Sequence, residues 1–434
     1  MMADGRGGRW GWLVPVLLLL GGCLGAWRLL SGVRQLFRLP AFGLGRRGDL
    51  VRRLVRDPEL VEAAEAFARK NGISMGVAMA RVEGYARGIV PSFNAFLYFR
   101  VGMPLAAWMC NSLYDVRVGR EEGFAALGSG ESVVFVMNHR SNLDYVLLAH
   151  LMAPRTAISF AAGEWADVWP VGPLFRGMGA FFVRRGSGDE LYRRVLERFV
   201  QMAVEGGLTQ AIFPEGGLSR DGRPREPKLG LLDYTLRRFD PEAGDILFVP
   251  VGVNYDWVLE DLSLVQPGGP EAGVGGFGGF YASTAESVIR NLLRARRGGS
   301  FRLGRAAVGF GTPISAREYA ARRGISFAEL GREERIAEVR RLARLLMRTI
   351  GEAIPAASVP LVALAMLEAA ERPVSQETLV SRAQSLAPGA QLDYEAALRT
   401  LVVRRLVLVE RDGYKPVPGG EKLLGYYANL SYRR

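Results

Sequence analysis

The chain has 434 residues, 49% of them hydrophobic, and a formal net charge of +12. That composition supports a large buried core, and the charge favours anionic partners: nucleic acid, phosphorylated compounds or an anionic membrane surface. Two cysteines, Cys23 and Cys110, exclude a disulfide framework and leave no zinc pattern, and any imidazole chemistry must use His139 or His150. Lysine occurs only at Lys70, Lys228, Lys415 and Lys422, so almost all the positive charge is arginine. Such a bias reflects composition more than function.

Residues 10–27 carry no charge and include four consecutive leucines from Leu17. As a helix they span about 27 Å at ~1.5 Å per residue, close to a bilayer's hydrocarbon thickness. Trp10, Trp12 and Trp27 lie near the ends, where aromatic side chains favour the interface. A secretory signal peptide shares this pattern, and Leu20-Gly21-Gly22-Cys23 loosely resembles a lipoprotein cleavage box. The charges that follow, Arg28, Arg34, Arg38, Arg46 and Arg47, favour an uncleaved anchor over residues 1–30 with the rest of the chain on the cytoplasmic face.

Residues 48–90 are rich in helix formers, with Asn71-Gly72 as a stop. The apolar stretch 93–110 reads either as a core helix broken near Pro104 or as a helix lying in the membrane interface. Together, 45–118 form a helical region, interfacial on the second reading. Short apolar runs then alternate with helical stretches: Val133–Met137, Ala180–Val183, Gln210–Phe213, Ile246–Val253 and Arg305–Gly311. Buried strands with helices between them predict an α/β layer structure over 119–355. A glycine-dense loop occupies 268–279, and Glu333–Ile354 is an amphipathic, arginine-rich helix. From 356 to 434 two helical stretches precede a hairpin signal at Asp412-Gly413, a pattern for a small winged-helix-like module.

His139 directly follows a predicted strand and precedes a predicted helix. Ser141 can cap that helix, and Asp144 falls three positions later like the acid of a capping box. In such a turn Asp144 can reach back to one ring nitrogen of His139, leaving the other to take a proton. The alternative is a helix cap beside a loop histidine. Arg184 and Arg185 end another strand, and planar guanidinium suits phosphate oxygens. Phe213-Pro214-Glu215-Gly216-Gly217-Leu218-Ser219-Arg220 follows a third strand, where glycine lets backbone approach a ligand. Lys228 is the only lysine between Lys70 and Lys415. Pro250 interrupts an apolar run, shaping a channel wall or marking an edge strand.

These four segments, in this order, resemble the glycerol-3-phosphate and lysophosphatidate acyltransferase superfamily. Its blocks read His-x4-Asp after a strand, Phe-(Ile/Val)-Arg-Arg, Glu-Gly-x-x-Ser, and an apolar strand with a central proline. His139-Arg140-Ser141, the run Gly179 to Arg185 and Glu215-Gly216-Gly217 look most like the glycerol-3-phosphate/dihydroxyacetone-phosphate branch, and similarity extends over roughly residues 85–370. Three features depart from that branch: Leu218 stands where an arginine is common, and Asn138 and Phe213-Pro214 look more like the lysophosphatidate branch.

The resemblance implies a mixed sheet flanked by helices and transfer of a fatty acyl group to the sn-1 hydroxyl of glycerol 3-phosphate. Acyl-CoA or acyl carrier protein would be the donor. His139 and Asp144 carry catalysis on this reading. Arg140, Ser141, Arg184, Arg185, Glu215, Gly216, Ser219, Arg220 and Lys228 bind substrate, and amides around His139 hold the oxyanion. Neither metal nor bound cofactor is implied, membrane lipids are expected partners, and nucleic acid is not. The competing readings are lysophosphatidate or dihydroxyacetone phosphate as acceptor, a non-catalytic lipid-binding protein, and nucleic-acid binding through the tail.

Overall fold

The computed structural model describes residues 47–121, 131–163, 167, 169, 171–184, 186–265, 286, 289, 290, 293, 302–369 and 373–431. The expected anchor, the glycine-dense segment 268–279 and Arg185 lie outside these residues. Eight strands form one mixed sheet: β1 (Asp115–Glu121), β2 (Ser132–Met137), β3 (Ser159–Gly163), β4 (Ala180–Val183), β5 (Gln210–Ile212), β6 (Ile246–Tyr255), β7 (Arg305–Phe310) and β8 (Ile314–Ser315). Their spatial order is β1-β7-β6-β2-β5-β3-β4, with β8 beside β6. Strands β6, β2, β5, β3 and β4 run parallel; β7 is antiparallel to β6, and β1 is parallel to β7.

β2 is buried at every position because a central parallel strand is covered on both faces. Alternate residues sort between two cores. Val134, Val136 and Phe248 meet Leu342, Ala343 and Leu346 of the helix Arg332–Ala353. Phe135, Met137, Val249 and Val251 face a core shared with Leu147, Met152 and, from the tail, Val359, Val362 and Tyr427. The long helix approaches the sheet closely because β6 and β7 offer glycines: a Cβ at Gly252 would lie 2.3 Å from Ile354 N, and one at Gly309 2.1 Å from Ala353 O.

Pro250 does not mark an edge. It pairs with Val136 in the centre of the sheet. On its other side β6 changes partner, from β8 at Leu247 and Phe248 to β7 from Val251 onward. A missing ladder donor costs least at such a change of partner.

The helical region resolves into Arg47–Val55, Pro58–Asn71 and Met75–Ile89, packed with Glu190–Glu205. Asp57 caps the second, and Gly72, at φ 64°, ends it in the left-handed conformation. The stretch 93–110 is broken near Pro104, as the first of its two expected readings has it. A π-helical turn, Leu97–Gly102, leads into the helix Met103–Leu113 just before Pro104, which cannot continue a regular helical hydrogen-bond ladder. Tyr98, Met103, Ala106 and Cys110 are buried, while Val101, Leu105 and Trp108, on one face by their spacing, are exposed.

In the tail, helices Ser358–Glu368, Gln376–Leu386 and Tyr394–Val403 precede the hairpin β9 (Val407–Glu410) and β10 (Gly413–Pro416) and a last helix, Glu421–Leu430. Val374, between the first two helices, bridges Tyr414 of the hairpin. The turn falls at Arg411-Asp412, because Gly413 is already paired with Glu410.

Candidate active site

The site forms at the carboxyl ends of β2, β5 and β6, where chain ends fan out and open parallel sheets bind ligands. Asn138 extends the β2–β6 pairing with its side chain: its Nδ2 donates to Val253 O (2.9 Å) and its Oδ1 accepts from Val253 N (2.7 Å). The next residue, His139, is thereby held at a fixed point above the sheet.

His139 Nδ1 lies 3.0 Å from Asp144 Oδ2. The same oxygen accepts from Arg140 N (2.7 Å) and Ser141 N (3.0 Å), and Tyr255 Oη donates to Asp144 Oδ1 (2.7 Å). Four donors thus surround a fully buried carboxylate, the condition under which burying a charge is tolerable. Burial, with the Asp144 charge beside it, pushes the Tyr255 phenol well up, so it stays protonated and donates. Phe213 stacks on the His139 ring at 3.9 Å between centroids, with Tyr145 at its edge. Nε2 has no hydrogen-bond partner among the described residues. The ring is fixed on three sides and presents one basic nitrogen.

The capping expectation holds only for the acid. Asp144 does reach back to Ser141 N, but the Ser141 hydroxyl does not cap the helix Asp144–Met152. It donates to Glu260 Oε2 (2.8 Å) and accepts from Leu143 N (3.1 Å). Glu260 Oε1 also accepts from Asn142 N (3.1 Å). Burial, together with the nearby Asp144 charge, raises the Glu260 carboxyl, while the Ser141 bond pulls it back.

Glu215 closes the opposite side. Its Oε1 accepts from His139 N and its Oε2 from Arg225 N, each at 3.2 Å. Burial raises its carboxyl, opposed first by the Arg140 charge. Ser219 N donates to His139 O (3.1 Å), so the loop 213–225 lies directly on the histidine. The amides of residues 139–142 are therefore all committed to Glu215, Asp144 and Glu260. The oxyanion role expected of them has no free donor there. In the facing loop, the amides of Gly217 and Leu218 have no partner among the described residues.

Arg140 and Ser141 are fully buried behind the turn. Arg140 donates to Gly222 O, while its Nε and second terminal nitrogen have no partner. Arg220, Arg223, Arg225 and Lys228 are exposed around the loop, and the Lys228 stem lies over Gly216, where a Cβ would come 2.7 Å from its Cδ. Gly216 also sits at φ 68°, and it is this left-handed conformation that favours glycine there, since the exposed Lys228 stem could move aside. Ser219 is buried, its hydroxyl donating to Arg223 O (2.8 Å).

Arg184 is not brought beside His139. It ends β4, three strand spacings or ~14 Å from β2, with its guanidinium over Tyr85 and Tyr192. Reading the sequence missed Glu260 and Tyr255. The adjacent carboxylates Glu260-Asp261, just after an apolar strand, were the available signal. His150, at the far end of the same helix, takes no part in the site.

Residues 115–254 match the family model described as Acyltransferase, and residues 284–399 the one described as Glycerol-3-phosphate acyltransferase C-terminal region. The Glycerol-3-phosphate acyltransferase of Ectopseudomonas mendocina is 32% identical over 347 residues, covering 77% of this chain and 40% of that protein. Its namesake from Aeromonas hydrophila is 31% identical over 351 residues, 77% of this chain and 41% of that protein. The chain thus spans about two fifths of the length of the curated relatives it matches. The crystal structure of the 1-acyl-sn-glycerophosphate acyltransferase PlsC from Thermotoga maritima is similar at 17% identity and a TM-score of 0.34, over 59% of this chain and 77% of that one. With the His139–Asp144 pair at the end of β2 and both family models matched in order, the chain is similar to the glycerol-3-phosphate acyltransferase branch of the acyltransferase superfamily.

Proposed function

We propose that this chain transfers a fatty acyl group from an acyl thioester to the sn-1 hydroxyl of glycerol 3-phosphate. The observation that carries the reading is the His139–Asp144 bond at 3.0 Å, with Nε2 left open and exposed cations on and beside the loop that lies on the histidine. On this reading Nε2 takes the hydroxyl proton as the oxygen attacks the thioester carbonyl. Asp144 stabilises the imidazolium that forms. The tetrahedral intermediate collapses, the C–S bond breaks, and the proton passes from His139 to the departing thiolate. The unpartnered amides of Gly217 and Leu218 are the donors best able to hold the oxyanion. Arg220, Arg223, Arg225 and Lys228 supply charge for the acceptor phosphate, with Arg184 as a more distant contributor; Arg185 stays a candidate from the sequence alone. The donor is acyl-CoA or acyl carrier protein.

We further place the protein on a membrane, with 10–27 as anchor and the catalytic domain on the cytoplasmic face. The exposed Val101, Leu105 and Trp108 support this. The helix carrying Leu105 and Trp108 packs on the one that begins with Asp144, so a lipid-facing surface would lie next to the site of acyl transfer. The tail from 356 is read as a winged-helix-like module.

An assay crossing palmitoyl-CoA and palmitoyl acyl carrier protein with glycerol 3-phosphate, dihydroxyacetone phosphate and lysophosphatidate tests the reading. Glycerol 3-phosphate should give the highest kcat/KM. Preference for lysophosphatidate, whose branch Asn138 and Phe213-Pro214 resemble, would reassign the acceptor.

A further inference from the structure

The segment Tyr255–Asp261 starts at the last residue of β6 and touches the catalytic turn on one side and the C-terminal tail on the other. On the catalytic side, Tyr255 holds Asp144, and Glu260 holds both the Ser141 hydroxyl and Asn142 N. On the tail side, Asp256 accepts from Ser358 Oγ (3.0 Å) and Val359 N (2.9 Å), at the start of the first tail helix. Val258 N donates to Tyr427 Oη (2.9 Å), and that hydroxyl donates to Asp261 Oδ2.

Arg404, at the end of the helix Tyr394–Val403, makes an ion pair with the same Asp261 oxygen. Both side chains are completely buried. The guanidinium carbon stands 4.5 Å from the ring centroids of both Trp257 and Tyr427. The last helix also reaches the substrate loop: Asn429 Nδ2 donates to Asp221 O (2.8 Å), and Tyr426 O lies 2.2 Å from where a Gly222 Cβ would be.

A buried ion pair adds little net stability because desolvation offsets its attraction, but it admits few alternative geometries. Here the pair fixes Asp261, the neighbour in sequence of the carboxylate that clamps the His139–Asp144 turn. We propose that Arg404 and Tyr427 are positioning residues for acyl transfer: acting through Asp261 and Glu260, they lock the turn 140–143, so that the C-terminal module is a working part of the active site. This rests on His139 being the base.

The test uses the full chain, with palmitoyl-CoA and glycerol 3-phosphate as substrates. Its variants are Tyr427→Phe, Glu260→Gln, Arg404→Lys and Arg404→Met, with His139→Ala as reference and Val409→Ser, on the exposed face of the hairpin, as control. Thermal unfolding gives the folded fraction of each at the assay temperature. Misplacing reacting groups lowers kcat more than it weakens binding, so Tyr427→Phe and Glu260→Gln should lose about ten- to a hundredfold in kcat per folded molecule. The KM for glycerol 3-phosphate should stay within about twofold. Arg404→Lys should retain more kcat than Arg404→Met, and Val409→Ser should match the parent.

Unchanged kcat per folded molecule in Tyr427→Phe and Glu260→Gln would overturn the proposal, as would losses that merely track the folded fraction. Those two variants keep their volume and decide the matter if Arg404→Met does not fold. If instead His139→Ala stays active, the base assignment on which the proposal rests is what fails.

Discussion

Replacing Asp144 by Asn separates charge from shape at the centre of the site. Asn keeps the size of the side chain and one acceptor oxygen. Arg140 N and Ser141 N, at 2.7 and 3.0 Å from Asp144 Oδ2, would draw that oxygen to their side. The amide NH2 would then face the Tyr255 hydroxyl, which can turn to accept. The turn should therefore stay folded while the negative charge beside His139 is lost. Two unit charges about 4 Å apart at an effective dielectric near 20 attract by about 4 kcal/mol, equivalent to about 10³ in rate. The same change in a Ser-His-Asp triad costs about 10⁴, so kcat should fall about 10³- to 10⁴-fold.

Asp144→Ala should behave differently. It orphans two buried backbone amides and a buried hydroxyl at about 1–3 kcal/mol each, lowering the urea midpoint as well as kcat. The assay is incorporation of radiolabelled glycerol 3-phosphate at saturating palmitoyl-CoA, alongside urea unfolding followed by circular dichroism. An Asn variant that folds like the parent yet keeps more than about a tenth of its kcat would refute the electrostatic role given to Asp144.

Burial raises the Glu260 carboxyl above its ordinary 4.5. The folded chain then holds this proton more tightly than the unfolded one, so the group's stabilising contribution is complete below pH 4.5 and declines as pH rises through the folded value. Glu260→Gln should accordingly flatten the fall in Tm measured upward from pH 4.5; an unchanged slope would contradict that origin. Gly252→Ala and Gly309→Ala force a Cβ against the backbone of Ile354 and Ala353, and neither can yield without lifting the long helix. Each should cost about 1–3 kcal/mol or more in urea unfolding, and a loss below half a kcal/mol would show that the helix can retreat. Replacing both Leu105 and Trp108 by Ser removes two exposed apolar side chains, about 3 kcal/mol of insertion. Sedimentation with anionic phospholipid vesicles should show roughly 100-fold weaker partitioning of a chain starting at residue 47; unaltered binding would place the contact elsewhere.

The buried strands were legible because parallel strands covered on both faces read as unbroken apolar runs, and β2, β4, β5, β6 and β7 all appear where such runs stand. β1 and β3 were not. Asp-Val-Arg-Val-Gly-Arg-Glu is polar and largely exposed beyond its first residues, and Ser-Phe-Ala-Ala-Gly is small and short. The His139–Asp144 pair was visible because its members are local in sequence and flank a strand–helix turn. Its supports were not, since Tyr255 and Glu260 come from more than 100 residues away and only the sheet order brings them in. The oxyanion expectation failed for a related reason: whether an amide is free depends on which carboxylates fold onto it. Nor could the sequence show that a buried arginine in the tail meets Asp261 beneath the catalytic turn.

The measurement that bears most directly on the central claim is acylation of glycerol 3-phosphate by the purified full chain and its His139→Ala variant, with the product identified by mass spectrometry. The parent should form 1-acylglycerol 3-phosphate with stoichiometric release of CoA thiol, and His139→Ala should fold normally and lose at least ~10²–10⁴ in rate. Product formation by the variant at a rate near the parent's would contradict the assignment of His139 as the base.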